Sequence, residues 1–419
     1  MEKIGIIIDG YSSGKFYHEY FKSQGVNCLH IQSKLNIPEF VKGCFCTKGY
    51  KDSFINENIE QTVKWIQSFG VPQFIIPGCE IGVNLADELC ELFDIALRNP
   101  LDSSLARRNK YYMQERIKNS GLRSICQNIF DNIENAIEWI ESEKIAYPLV
   151  VKPVHSTSGD GFHLCKNELD VRNAFKLELN QENLLNIQNT KLLVQEFIEG
   201  VEYVIDTVSF QGETTVTDII KYQKRIGKYG NTVYESCTFM DINNVELKET
   251  IKYTKNVLTA LQVNNGPAHT EVIVDMQGPV LIEVGARPAG CMLDLDFIRN
   301  AYGHNQLELA GLLYASPSNY KIKVKTINNS VLMSSCLILY SLSEKGIVKS
   351  IDFSKIEKSK MHIKTDLQIS VGSKIDEPKN LSEIHAILYL QGDNQEEINQ
   401  LAHELIDFPK QFVKLNSIY

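Results

Sequence analysis

Apolar positions in this chain follow two rhythms, one of short unbroken runs and one of helical spacing. Ile4–Ile8 is a continuous run dominated by isoleucine, the pattern of a strand buried on both faces. A Gly/Ser turn follows, then a helical stretch over residues 13–24. Residues 74–76 repeat the short run and stop at Pro77-Gly78, after which Leu85, Leu89 and Leu92 fall on one helical face. Strand–helix–strand alternation predicts a Rossmann-like parallel sheet over residues 1–98. Residues 99–125 read as a basic helical linker ending near Gly121. Residues 126–200 alternate again, with strands predicted at 147–153 and 192–197. Residues 201–318 offer three strands, at 202–210, 269–274 and 280–284, and helices near 247–262 and 304–314. Residues 319–419 read as a small C-terminal α/β appendage, with strands near 332–340 and 385–390 and a helix near 395–406. The expected class is therefore α/β together with α+β, in five segments.

Composition narrows the class without changing it. The chain has 419 residues, 43% hydrophobic and 23% charged, enough for several subdomains around a sizeable core. A net charge of −9, with no basic block, gives no reason to expect nucleic acid or a membrane surface as partner. A locally positive cleft in such a protein can still hold a phosphate-bearing ligand. No run approaches the roughly 18 apolar residues of a membrane span, and the apolar run before Asp9 is too short for a signal peptide. Ten cysteines are scattered with no CxxC, Cys44 and Cys46 being the closest pair. Reduced thiols and a cytoplasmic location are expected.

Three passages carry candidate chemistry. In residues 266–290, GPAHTEVIVDMQGPVLIEVGARPAG, two strands meet at a Gly-Pro turn. If Val274 pairs with Val280 across a five-residue loop, Glu271 faces Glu283. Facing carboxylates repel unless a cation lies between them, and hard oxygen donors suit Mg²⁺. Arg287 follows and can hold a carboxylate or phosphate bidentately. The small residues beyond it, Ala289, Gly290 and Cys291, with Met292, are candidates for a substrate pocket or for close backbone packing. In residues 147–162, Lys152 sits within an apolar strand, where an unpaired ammonium is costly. It leads into Ser156-Thr-Ser158-Gly159-Asp-Gly161, a loop suited to closing over phosphates or to making an exposed hairpin. In residues 192–210, backbone groups at Phe197 and Ile198 can read an adenine edge, and Glu202 can accept ribose hydroxyls. Gly10-Tyr-Ser-Ser-Gly14-Lys15 lacks the P-loop spacing, leaving a substrate role or a plain strand–helix turn.

Taken in order, GCEIGVNLADEL, ARRNKYYM, YPLVVKPVHSTSGDG, VQEFIEGVEY, GPAHTEV and LIEVGARP resemble the ATP-grasp superfamily. EYVIDTVSF followed by VTDIIKYQKR is most similar to its dipeptide-forming L-amino acid ligases. The resemblance implies a carboxylate–amine ligase that forms an acyl phosphate and releases ADP, acting on amino acids. It also implies Lys110, Lys152, Ser156, Ser158 and Gly159 on the ATP phosphates, and Glu196, Phe197, Ile198 and Glu202 on adenine and ribose. Glu271 and Glu283 would hold one or two Mg²⁺ ions, with Mn²⁺ as a substitute. Arg287 would act on the acyl phosphate together with Lys152, and Glu80, His269, Gly290 and Cys291 would meet substrate. Gly285 stands where many family members carry an asparagine ligand. A homodimer is among the expectations. The alternatives are a ligase or carboxylase for another acid, such as a purine intermediate, and a nucleotide-binding regulator without turnover.

Overall fold

A computed structural model describes residues 2–43, 45–290, 294–327 and 330–416. Four sheets organise the described residues. The first is parallel, in the order Asp52–Ile55, Asn27–Gln32, Ile4–Ile8, Phe74–Pro77. All five residues of Ile4–Ile8 are buried, as a continuous β-branched run covered on both faces requires. The loops after Ile4–Ile8 and Phe74–Pro77 pack backbone to backbone, so a Cβ on Gly14 would lie 2.3 Å from the Gly78 Cα. The glycines of the 10–15 segment thus have a packing reason of their own.

The helix Lys110–Asn119 starts at an Asn109 cap, whose side chain accepts from the backbone N–H groups of Tyr111 and Tyr112. Such a cap satisfies two of the amides that a helix start leaves without partners. A basic stretch commonly marks a solvated face, yet Arg107, Arg108 and Lys110 are buried here. Residues 127–196 form an antiparallel sheet in the order Gln127–Phe130, Leu192–Glu196, Leu149–Pro153, His163–Cys165. The helices Ile133–Ser142 and Glu168–Glu178 pack on it around a separate apolar core.

The central sheet has eight antiparallel strands and departs from expectation in two respects. Glu213–Ile226 and Thr232–Phe239 are long strands within it, although the sequence pattern suggests neither. Charged residues at 218, 221, 224 and 225 break the apolar alternation, and pairing with neighbouring strands overrides that weak local signal. Ser334–Tyr340 then pairs with Thr232–Phe239, followed by Ala386–Gly392 and His362–Leu367. The sheet therefore runs straight across the division drawn at residue 318. A three-stranded sheet, in the order Lys374–Ile375, Gly346–Ile351, Val413–Asn416, completes the C-terminal part. Among the described residues, no helix is long and apolar enough to cross a membrane.

Candidate active site

A cavity of about 680 Å³ lies between the 127–196 sheet and one face of the central sheet. Strand alternation fixes which side chains enter it. Gly266–Asp275 contributes His269, Glu271 and Ile273; Val201–Phe210 contributes Glu202; Gly278–Gly285 contributes Glu283.

Glu271 does pair directly with Glu283, but by a different route from the one the sequence suggests. The hairpin turns through two residues, Met276 and Gln277, so Val274 meets Pro279 and Ile273 meets Val280. A bulge at Ile282 then shifts the register by one residue and restores the Glu271–Glu283 pairing. Without that bulge, one of the two carboxylates would point away from the cavity. The side chains are 21% and 23% exposed. Lys110 Nζ donates to Glu283 Oε1 at 2.8 Å and to the Ser156 carbonyl at 3.0 Å. Burial works against charge on Glu271, but His269, Lys224 and Lys110 outweigh it and hold the carboxyl down to about 2. No group of three or more Asp, Glu, His or Cys forms a metal cluster among the described residues. Two carboxyl groups facing one cavity fit a hard divalent ion that draws its remaining ligands from phosphate and water.

Lys152 projects from Leu149–Pro153 into the cavity. Burial, with repulsion from Lys110, lowers its ammonium to about 8. Among the described residues Lys152 makes no hydrogen bond or close ion pair, the condition an anionic ligand would relieve. The adjoining loop folds on itself: Ser156 Oγ donates to the Asp160 carbonyl at 3.0 Å. Its Ser158 and Gly159 adopt left-handed backbone, and the Ser158 carbonyl accepts from the Leu381 amide at 3.1 Å. Ser156, Ser158 and Gly159 all line the cavity.

On the neighbouring strand of the same sheet, Leu192–Glu196 ends, and Phe197 and Ile198 continue along the cavity. The Glu196 amide and carboxylate are both bonded to the backbone of Cys126. Glu202 is held by Lys224, whose ammonium also lies 4.1 Å from the Tyr234 ring centroid.

Deeper in, Glu80 lies between two arginines, Arg108 at 2.6 Å and Arg287 at 2.7 Å. Burial would raise its carboxyl, but the two guanidinium groups pull it down to about 2. A Cβ on Gly285 would come within 2.7 Å of Glu80 Oε2 and 3.0 Å of Arg287 Cζ. The ion pair fills the space that an asparagine at 285 would need, which accounts for the glycine there. His269 Nδ1 meets Asp206 Oδ1 at 2.8 Å, and its Nε2 lies 3.6 Å from Glu271 Oε1. Burial opposes a charge on His269, but Asp206 and Glu271 reverse the balance and raise it to about 9. Gly290 lines the cavity; Cys291 and Met292 lie outside the described residues.

Sequence reasoning singled out neither Arg108, Asp206, Asp218 nor Lys224. The argument applied to Lys152, that a charge inside an apolar strand calls for a partner, applies equally to Asp206 in VEYVIDTVSF and Asp218 in TVTDIIK.

Facing carboxylates, two lysines on the same cavity and a Ser/Gly loop at its mouth are the parts of a nucleotide-dependent phosphoryl-transfer site. The chain belongs to the ATP-grasp family. An ATP-grasp domain profile matches residues 145–294. Dapdiamide A synthase of Enterobacter agglomerans is 31% identical over 321 residues, 76% of this chain and 75% of that protein. Among solved structures, an L-amino acid ligase from Bacillus licheniformis superposes with a TM-score of 0.75 at 17% identity, covering 100% of this chain and 99% of the other. The biotin carboxylase domain dimer of Hydrogenobacter thermophilus 2-oxoglutarate carboxylase, solved with MgADP, ADP and bicarbonate, has a TM-score of 0.62 at 14% identity, covering 100% and 91%. The protein is an ATP-dependent, ADP-forming carboxylate–amine ligase.

Proposed function

We propose that the cavity binds ATP between Lys110, Lys152 and the 156–161 loop, and joins two amino acids at its inner end. The observation that carries the reading is the in-register pair Glu271–Glu283 on a cavity shared with both lysines. Backbone at Phe197 and Ile198 reads the adenine edge beside Glu196, and Glu202 accepts from the ribose. Glu271 and Glu283 would hold Mg²⁺, with Mn²⁺ as substitute. Because Gly285 offers no donor, one protein-held ion is the expectation. When bound, that ion neutralises charge on the phosphate oxygens.

The substrate carboxylate, held by Arg287 with His269 donating from Nε2, attacks the γ-phosphorus. The bond from phosphorus to the bridging oxygen breaks, and ADP leaves with that electron pair. Lys110 and Lys152 offset charge on the transferring group, and positioning contributes much of the remainder. An amine then attacks the acyl carbon and a C–N bond forms. The carbon–oxygen bond to phosphate breaks, orthophosphate departs with its electrons, and the departing phosphate takes up the surplus proton of the nitrogen. Glu80, fixed by two arginines, lies beside this end and suits recognition of a substrate ammonium, and the space around Gly290 leaves room for a substrate side chain.

Incubation with ATP, Mg²⁺ and paired amino acids should give a dipeptide, ADP and orthophosphate by mass detection. Product formation from bicarbonate in place of an amino-acid pair would favour the carboxylase reading, and AMP with pyrophosphate would overturn the acyl-phosphate route. Sedimentation tests the homodimer.

A further inference from the structure

One row of side chains on the cavity face of the central sheet is used only in part by the roles above. Asp218 is the direct ladder partner of Asp206, and Asp206 is the direct partner of His269. A bulge after Val216 brings Asp218 into this row. Both aspartates are 1% exposed. Asp206 Oδ1 takes the His269 Nδ1–H at 2.8 Å, and Asp218 Oδ2 takes the Thr217 hydroxyl at 2.9 Å. The remaining two oxygens, Asp206 Oδ2 and Asp218 Oδ1, are buried and have no donor among the described protein groups. The two carboxyl groups are themselves within hydrogen-bonding reach of each other.

Two ionised carboxylates facing each other at this depth would repel with little solvent to screen them. A single proton between them removes one charge and supplies both oxygens with a hydrogen bond. The row then has a definite polarity. Asp218 donates to Asp206, and Asp206 receives Nδ1–H. The histidine is thereby fixed with Nε2 at the cavity, since the partner of one ring nitrogen determines the role of the other.

We propose that Asp218 is held protonated against Asp206, and that this carboxyl–carboxylate pair is a positioning device locking His269 so that Nε2 faces the amino-acid substrate. The inference rests on the reading of His269 as a substrate contact. Burial and the neighbouring Asp206 charge both raise the Asp218 carboxyl well above the usual range. The 3.6 Å from His269 Nε2 to Glu271 is long for a hydrogen bond, so Glu271 does not by itself fix the ring.

The test separates positioning from general support of the sheet by reading amino-acid and nucleotide parameters independently. Asp206→Asn should lower kcat/KM for the amino acids by about 100-fold, the scale of a misplaced substrate contact. ADP affinity, by calorimetry, should stay within about twofold. Asp218→Leu, which offers Asp206 no hydrogen, should fall about tenfold in the same parameter, and Asp218→Asn, whose amide N–H can replace the shared proton, should recover most of that loss. Equal damage from Asn and Leu at 218, or parallel loss of ADP affinity in Asp206→Asn, would overturn the proposal. His269→Asn separates the two layers. If it leaves amino-acid kinetics intact, the substrate role of His269 fails and the proposal with it. If it is damaging while Asp206→Asn is not, the pair alone is wrongly assigned.

Discussion

The central sheet poses the same electrostatic problem twice and solves it differently each time. Glu271–Glu283 and Asp206–Asp218 are both acids paired directly across neighbouring strands, opening on the same face. The glutamates keep about a fifth of their side-chain surface exposed, with Lys110 at 2.8 Å on one and His269 at 3.6 Å from the other. The aspartates are 1% exposed and close on each other. At the cavity wall, which cations and solvent can reach, the glutamate pair is open to the divalent ion proposed for it. At the deeper position the two carboxyls close on each other, and a shared proton relieves the repulsion. The difference lies in access rather than in residue type, and it separates a ligand-binding pair from a positioning pair.

The sharpest break in that comparison would come from Glu283→Gln. The substitution keeps shape and removes one charge of the exposed pair. Steady-state ADP release should fall by at least about 100-fold, the usual scale for losing a preorganised charge partner, with far-UV circular dichroism unchanged. Turnover near the parent level at saturating Mg²⁺ would place the ion elsewhere. Lys152→Met probes the cation side. It should weaken ATP binding by about tenfold or more and leave the folded protein at least as thermally stable, because an unpaired buried ammonium is costly. A lower Tm would mean that Lys152 supports the fold. Gly285→Ala touches the space between the two pairs. Its Cβ would press on Glu80 and Arg287, so KM for the carboxylate substrate should rise by about tenfold, the scale of one disturbed polar contact. The KM for ATP should hold. A shift confined to ATP would contradict the placement of Arg287 on the substrate side.

Much of this site was legible in the sequence because its chemistry contradicts its surroundings. Lys152, Glu271 and Glu283 are charges within apolar strands that adjoin glycine-containing turns. The facing of the glutamates was anticipated from an incorrect turn, and the bulge at Ile282 made the pairing hold; no local pattern in PVLIEV announces a bulge. Glu213–Ile226 was invisible because its charges, Asp218, Lys221, Lys224 and Arg225, break the apolar alternation by which strands are recognised. Lys224 and Asp218 meet their charged or carboxyl partners, Glu202 and Asp206, on the next strand. The same long-range pairing hid the continuation of the central sheet into Ser334–Tyr340. Cys291 and Met292, offered from sequence as pocket residues, fall outside the described residues.

The smallest expected effect sharpens the comparison by titration. Lys152 is another buried charge on this cavity, and among the described residues it has neither a close partner nor a shared proton. Burial first, and Lys110 second, lower its ammonium from 10.5 to about 8. A bound triphosphate favours the charged form, so nucleotide binding above that value must take up a proton. Affinity for ATP is then flat below about pH 7 as far as this group is concerned, and about tenfold weaker at pH 9 than at pH 7. The free protein responds with the opposite sign. Between about 8 and 10.5 the unfolded chain binds the lysine proton and the folded chain does not, so this group's contribution to stability rises with pH across that window. Calorimetry in two buffers of different ionisation enthalpy reads the proton uptake directly. Lys152→Met should abolish both the uptake at pH 9 and the pH slope of affinity. If uptake persists in that variant, the titrating group is another one, and Lys152 is already charged and compensated in the free protein.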